Sequence, residues 1–421
     1  MARHLRLELT LLWRSRTIAA GLIIILAAGV FAVMHGRSVI DRQRGVLAGA
    51  ALRQQLEHRA ILAPTPPTSL AGDQLYYLFF HTVREPSAWA PAFIGQRDLQ
   101  PYNLKVRMLA LQGQLYDAEL GSPLIASFGA FDVAFVFVVL APLLVIALTF
   151  NIISAEREGG TWDVLRAQPV RASRVMVWRF AITGVLVWSA LIVLLAVTTI
   201  ACAIPIDRTW VTVAVWLALY VSFWVAAAGA VNALGRASEV NALLLLGLWM
   251  TLTIVGPALT NAAAAARFPV PEGLELTIAQ REGYHSGWDR PLDETMQAFY
   301  ARYPQWASVP IPADRYSNGW YYAMQQRGDD LAAPIARRYR AALEAREQWT
   351  AGWVSLFPPA VLQRALSRVA GTDLQSYLAY LDSVSAYHES LKEHFFPIVF
   401  GNQTVADVDW SAVPRHSFRD R

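Results

Sequence analysis

The chain has a single cysteine, Cys202, and it lies inside an apolar run. An internal disulfide is therefore excluded, and any part outside a membrane must hold together by packing alone. A cysteine-based zinc site is excluded on the same count. Histidine is scarce, with eight in 421 residues. His388 and His394 in HESLKEH lie six apart, which does not place them on one helical face. They are expected to be solvated helix positions, with no metal. Charged residues make up only 16% of the chain and the net charge is +4. No basic stripe with interleaved aromatics is present, which argues against nucleic-acid binding. The chain has no G-x-x-x-x-G-K-[ST], HExxH or GxSxG motif, so nothing in it is expected to cradle nucleotide phosphates or act as a zinc-protease or hydrolase site. The long apolar runs carry almost no ionisable groups, whereas a proton or ion relay needs them. Asp132, near the entry of one run, is the sole candidate, and interfacial solvation explains it as well.

What the chain does have is apolar sequence, 55% hydrophobic, gathered into runs. A bilayer core of roughly 30 Å needs about 20 apolar residues in a helix. Five runs qualify or nearly so: 17–34, 131–153, 177–204, 210–234 and 241–259. Pro142 and Pro257 fall inside two of them and mark expected kinks, since a membrane helix tolerates proline where neighbours satisfy the freed backbone groups. The first run is long for a cleaved leader and lacks a small-x-small site, so it reads as a retained anchor.

Arginine placement orients the spans. Arg3, Arg6, Arg14 and Arg16 precede the first run. Arg157, Arg166, Arg171 and Arg174 occupy the 154–176 loop, with Arg179 just inside the next run, and Arg236 lies in 235–240. The connector PIDRT has only Arg208. The positive-inside rule then puts the N-terminus and both arginine-bearing loops in the cytoplasm. Helix counting puts 35–127 and 263–421 outside. The expected class is an all-α integral membrane protein with five transmembrane helices and two large, mostly helical extracytoplasmic insertions. Its parts are 1–34 (interfacial helix and first span), 35–127, 128–262 (spans two to five with the 154–176 loop) and 263–421.

In the first insertion, Val39, Val46, Leu52 and Leu56 are spaced loosely like one helical face, APTPPT breaks the helix, and 103–120 reads as a helix returning to the membrane. In the second, helices are expected to about 304, over 315–349, over 358–369 and over 374–396. Gly371 ends one of these, and Thr372 or Asp373 caps the next. The dense aromatics from Trp288 to Trp353 read as core and interface packing rather than a ligand lining.

The 154–176 loop is richer than a tether requires. Glu156, Arg157 and Glu158 continue the helix outward, Gly159 and Gly160 let the chain leave helical geometry, and Thr161 is placed to N-cap a short helix, WDVLRAQ, with Asp163 near its start. Pro169 stops it. Arg171 and Arg174 begin the next span. EREGGTWDVLRAQPVRASRVMVWRF resembles the E-x-x-x-G-T-hydrophobic-x-x-L-x-x-x-P-V-x-R-x-x-hydrophobic motif of ABC-2 type transporter permeases, with Glu156, Gly160, Thr161, Leu165, Pro169, Val170 and Arg174 on matching positions, the basic residue being shifted slightly between relatives. The stretch 355–400, SLFPPAVLQRALSRVAGTDLQSYLAYLDSVSAYHESLKEHFFPIVF, resembles the C-terminal region of the DUF3526 subfamily. That subfamily places large insertions after its first and fifth spans. Its members usually carry a sixth span after a P-x-x-S-F region, here Pro414–Phe418, so the family six is five in this chain.

The resemblance implies a permease subunit of an ATP-driven transporter in the bacterial inner membrane, moving a substrate across it without being an enzyme itself. ATP and magnesium would be bound by separate cytoplasmic ATPase subunits and no cofactor by this chain. A second permease subunit, identical or related, would complete the assembly, and the insertions could meet a periplasmic partner. The contact with the ATPase would be made by Glu156, Arg157, Glu158, Gly159, Gly160, Thr161, Trp162, Leu165, Pro169, Arg171 and Arg174. RHLRLELTLLWRSR would be the family's interfacial helix on the bilayer, with Leu5, Leu9, Leu12 and Trp13 on one face and Arg6 off it. These residues read equally as a positive flank of the first span. Two other readings compete: a membrane-anchored sensory or structural protein whose insertions bind a partner, and a membrane enzyme, for which no convergent catalytic set is present.

Overall fold

The computed structural model describes residues 16–116, 131–167, 171–269 and 273–420. Leu5, Arg6, Leu9, Leu12, Trp13 and Pro169 lie outside them. Helix α1 (Arg16–Ala48) leads into α2 (Ala50–Leu62). A loop-rich stretch follows, with α3 (Ala71–Leu75), β1 (Phe80–His81), β2 (Arg84–Glu85), β3 (Lys105–Val106) and α4 (Leu111–Tyr116). Next come α5 (Val133–Glu158), the short α6 (Trp162–Arg166), α7 (Ala172–Cys202), α8 (Arg208–Ala233) and α9 (Ser238–Arg267). The remainder holds α10 (Gly273–Asp289), α11 (Leu292–Arg302), α12 (Asn318–Val354), α13 (Pro358–Val369), α14 (Leu374–Phe400) and β4 (Phe418–Arg419). Helices α1, α5, α7, α8 and α9 are long and apolar enough to cross a membrane, one for each apolar run.

The spans pack where small residues let them approach. A side chain at Gly29 of α1 would strike Leu194 of α7, and one at Gly21 would strike Leu144 of α5. Away from these contacts the helices expose apolar side chains, such as Ile23, Ile24 and Met34 on α1 and Leu243, Met250 and Leu259 on α9. Both prolines are accommodated by a π-helical turn just before them, Val136–Leu140 ahead of Pro142 and Thr251–Val255 ahead of Pro257. Proline removes the hydrogen bond to the carbonyl four residues back. For Pro142 that carbonyl belongs to Val138, and the buried Tyr220 hydroxyl of α8 donates to it at 2.7 Å. A neighbouring span thus supplies the missing donor.

The residues outside the spans form a head at one end of the bundle. The two sequence segments that build it share one hydrophobic core. Leu75, Phe80, Val106 and Met108 from the first segment pack with Phe299, Trp320, Tyr322, Leu381 and Phe395 from the second. β1 pairs antiparallel with β3, and β2 pairs parallel with β4, the C-terminal strand. Behind β2 and β4 lies a buried ionic cluster. Asp420 accepts from Arg84 Nε at 2.9 Å and from Arg97 Nη1. Arg84 also donates to Gln100 and to the Gly371 carbonyl, and Arg97 to Gln43 of α1 and to the Arg84 carbonyl. Burial pulls the Arg97 guanidinium down to about 10, and the Asp420 carboxylate opposes that shift.

Several expectations are corrected. In the first head segment, 103–110 is not helical as expected and a helix, Leu111–Tyr116, begins only after β3, while 117–120 of the expected returning helix lie outside the described residues. Pairing of Val106 with Phe80 takes that stretch into a ladder. Val39 is buried, but Leu52 and Leu56 are exposed, so the supposed face of α2 covers nothing. Asp132 is not solvated. It is buried and caps α5, accepting from the Phe135 amide at 2.9 Å and from the Ile94 amide of the head at 2.8 Å. His388 is fully buried rather than solvated, and its Nε2 donates to the Arg107 carbonyl at 2.9 Å. Other expectations match: α13 spans 358–369, Gly371 takes a φ of 65°, and Asp373 caps α14 through the Ser376 amide. Trp288 meets Trp320 edge-on at 4.9 Å within the core.

Asp420 is buried between two arginines, so Asp420→Asn is expected to leave excess positive charge in the head. Breaking such a cluster costs about 3–5 kcal/mol, to be read as a lower unfolding midpoint in denaturant. A second expectation concerns pH. Burial, reinforced by Lys392, pushes His388 down to about 3 from 6.5. Burial takes His416 down to about 4, with its Nδ1 accepting from the Val83 amide. Both are neutral when folded, and the unfolded chain takes up protons below 6.5. Their contribution is complete above that pH and is lost as pH falls toward 4 and 3. The melting temperature should drop between pH 7 and 5, with a smaller drop in the double variant His388→Gln, His416→Gln.

Candidate functional site

The end of the bundle opposite the head holds the 154–176 loop and the α8–α9 connector. The last turn of α5, Ser154–Glu158, ends in a glycine-specific way. Gly160 has a φ of 69°, a left-handed conformation that side chains other than glycine's disfavour. The Thr161 amide donates to the Glu156 carbonyl at 3.0 Å and the Gly160 amide to the Arg157 carbonyl at 3.2 Å. This pair of bonds is a Schellman motif. It reverses the chain and starts α6 at Trp162.

The charged residues before the turn are engaged within the chain. Arg179 of α7 donates to Glu156 Oε1 at 2.6 Å, and the Thr161 hydroxyl donates to Glu156 Oε2. Glu158 accepts from the Ser238 amide at 2.7 Å and from the Ser238 hydroxyl at 2.8 Å. Ser238 begins α9, where Ala237 offers no side-chain cap. Glu158 therefore caps α9 from another element, satisfying an orphan amide and placing a negative charge at the positive helix end. Arg157 lies over the Trp162 ring at 5.1 Å and against Gly235, whose φ of 69° turns the chain between α8 and α9.

A polar seam continues inward. Ser154 and Ser238 hydroxyls are 2.8 Å apart. Buried Asn232 of α8 donates to the Thr149 carbonyl at 3.0 Å and accepts from the Ile153 amide at 3.2 Å, taking up backbone groups where α5 loses its regular ladder. Arg179, Asn232, Gly235 and Ser238 were not expected as site residues. Amides and serines within or at the edge of apolar runs were the available signal.

Within the expected contact set, Glu156 and Glu158 tie the loop to α7 and α9. Thr161 does not N-cap α6: its φ and ψ are −86° and −8°, it makes no cap bond, and its hydroxyl serves Glu156. Leu165 is buried, anchoring α6. Gly159 sits at the end of the α5 turn, and Arg171 stands just ahead of α7. Asp163, Val164, Arg166, Arg171 and Arg174 face outward, beside exposed Leu234 and Arg236 of the neighbouring connector. Among the described residues no group of His, Cys, Asp and Glu could hold a metal ion. The described residues of the site offer a mixed charged and apolar surface.

The Glu158 contact can be tested by amide exchange in lipid nanodiscs. Glu158→Ala is expected to speed exchange over 238–241 while leaving the middle of α9 unchanged. Unaltered exchange at 238–241 would remove the capping role.

No curated protein and no solved structure matches the chain. Residues 274–419, from the start of α10 to β4, are similar to a family described as Domain of unknown function (DUF3526). The chain thus combines five helices able to cross a membrane with a head whose second segment carries the DUF3526 likeness.

Proposed function

We propose that this chain is the membrane-spanning subunit of an ATP-driven transporter of the ABC-2 permease type, with ATP hydrolysed by a separate subunit that docks on the loop end of the bundle. The observation that carries this reading is the construction of the loop. Its turn is held by the Schellman motif at Gly160, by Glu156–Arg179 and by Glu158–Ser238, and it is linked to α5, α7 and α9 at once. A push on α6 would reach three spans without being absorbed by slack, which suits transmission of a nucleotide-driven movement. In this reading the loop end is cytoplasmic, as the arginine asymmetry indicates, and the head is extracytoplasmic. The docking face is Asp163, Val164 and Arg166 with Arg171 and Arg174, and the two glutamates brace it from behind.

A second reading, a membrane-anchored sensory protein whose head binds a partner, draws on the cavity of about 750 Å³ where head and spans meet, lined by Arg44, Trp89, Asp207 and Arg419. Co-expression with a soluble ATPase, chosen as one whose gene adjoins that of this chain, separates the two. Wild type should capture the ATPase and raise its hydrolysis rate in lipid, and Val164→Asp with Arg166→Glu should cut capture severalfold. No capture by wild type, or capture indifferent to the double change, would sink the transporter reading.

A further inference from the structure

Within the head, helices α12 and α14 meet partly through polar faces. Gln326, Asp329, Asp330 and Ala333 recur at helical spacing on α12, and Ser385, Glu389 and Lys392 on α14. Between these faces, the start of α4 and the end of α11 lies a cavity of about 240 Å³. We propose that this cavity binds a small α-amino acid as its zwitterion, with the carboxylate on Lys392 and Arg302 and the ammonium on Asp330 and Glu389.

The floor of the cavity is built from charges that the fold takes out of water. Lys392 is 5% exposed and Asp329 7%. The Lys392 ammonium donates to Gln326 Oε1 at 2.6 Å and to Glu389 Oε1 at 3.0 Å. An ammonium carries a third N–H, which is left for a ligand oxygen. Asp329 Oδ1 accepts from the Gln112 amide of α4 at 2.9 Å. Burial pushes this carboxyl above its ordinary value, and Lys392 opposes the shift. The Tyr303 hydroxyl lies 3.1 Å from Gln326 Oε1 and 3.3 Å from Glu389 Oε2. Buried ions hold two helices together no better than apolar side chains of similar volume, so packing alone gives no reason for them here. The small side chains of Ala333, Ser385 and Ala386 leave the space beside them open.

The rim is open to solvent and carries both signs. Arg302, Asp330 and Glu389 are exposed there. Arg302 Nε meets Asp330 Oδ1 at 3.4 Å, and Gln326 Nε2 donates to the same oxygen at 3.0 Å. Three carboxylates (Asp329, Asp330 and Glu389) stand against two cations, Arg302 and Lys392, which disfavours a ligand with negative charge alone. Among the described residues no group of acids and histidines could hold a metal ion, which disfavours a bare divalent cation. A zwitterion sets its own charges against both signs and gains charge-assisted hydrogen bonds at each end. The volume fixes its size. Sites for drug-sized ligands run to about 300–1,000 Å³, so this one suits glycine, alanine or serine.

The test titrates glycine, L-alanine and L-serine by calorimetry into the full chain in nanodiscs, with ethylamine, propionate and calcium as controls. At least one of the amino acids is expected to bind saturably, severalfold more tightly than ethylamine or propionate. Asp330→Asn, on the exposed rim, is expected to weaken that binding severalfold with the melting temperature unchanged. Ala333→Leu, which fills the cavity without touching a charge, is expected to abolish it. If Ala333→Leu fails to fold, Asp330→Asn decides. Absence of saturable binding by all three amino acids overturns the proposal. So does binding that Asp330→Asn, or a folded Ala333→Leu, leaves unchanged. Ethylamine or propionate binding as tightly as the amino acids would mean a site for one charge alone, and calcium binding in their place a metal site; either overturns it.

Discussion

The Asp420 carboxylate, buried between Arg84 and Arg97, is the contact on which the head depends. Two guanidinium groups removed from water would be prohibitive without a counter-charge and without acceptors for their remaining donors. Those acceptors come from Gln43 at the head end of α1, from Gln100, and from the Gly371 carbonyl at the end of α13. The cluster therefore closes only when α1, both head segments and the C-terminal strand are in place together. It gives a head without disulfides a specific way to register its parts.

The same logic of satisfied polar groups shapes the spans. Prolines free backbone carbonyls, and in α5 the Tyr220 hydroxyl answers the one at Val138. Asn232 answers the end of α5, and Glu158 the start of α9. Each uses a side chain of one helix to complete the backbone of another. Such contacts bind the spans by geometry rather than by apolar area, which lipid supplies equally well. At the loop end they tie the last turn of α5 to α7 and α9.

The head meets the spans at the π turns. Helix α13 lies against both, inside a segment with DUF3526 likeness, and its far end meets the Arg84 cluster through Gly371. The head is thus keyed into the spans through α13 and through the Ile94–Asp132 contact and does not rest on them as a separate lobe.

The five span-length helices, the Gly160 turn, α13 and the Asp373 cap were legible in the sequence, because apolar run length and capping chemistry are local. The engagement of Glu156 and Glu158 was not, since their partners Arg179 and Ser238 lie 23 and 80 residues away. A carboxylate beside a turn reads alike whether it faces solvent or a distant amide. Residues 105–106 read as helix by composition and became a strand because β1 was there to pair with. His388 read as solvated because helical position says nothing about what packs on it. The shared core of the two head segments belongs to tertiary structure alone, which decides which surfaces meet.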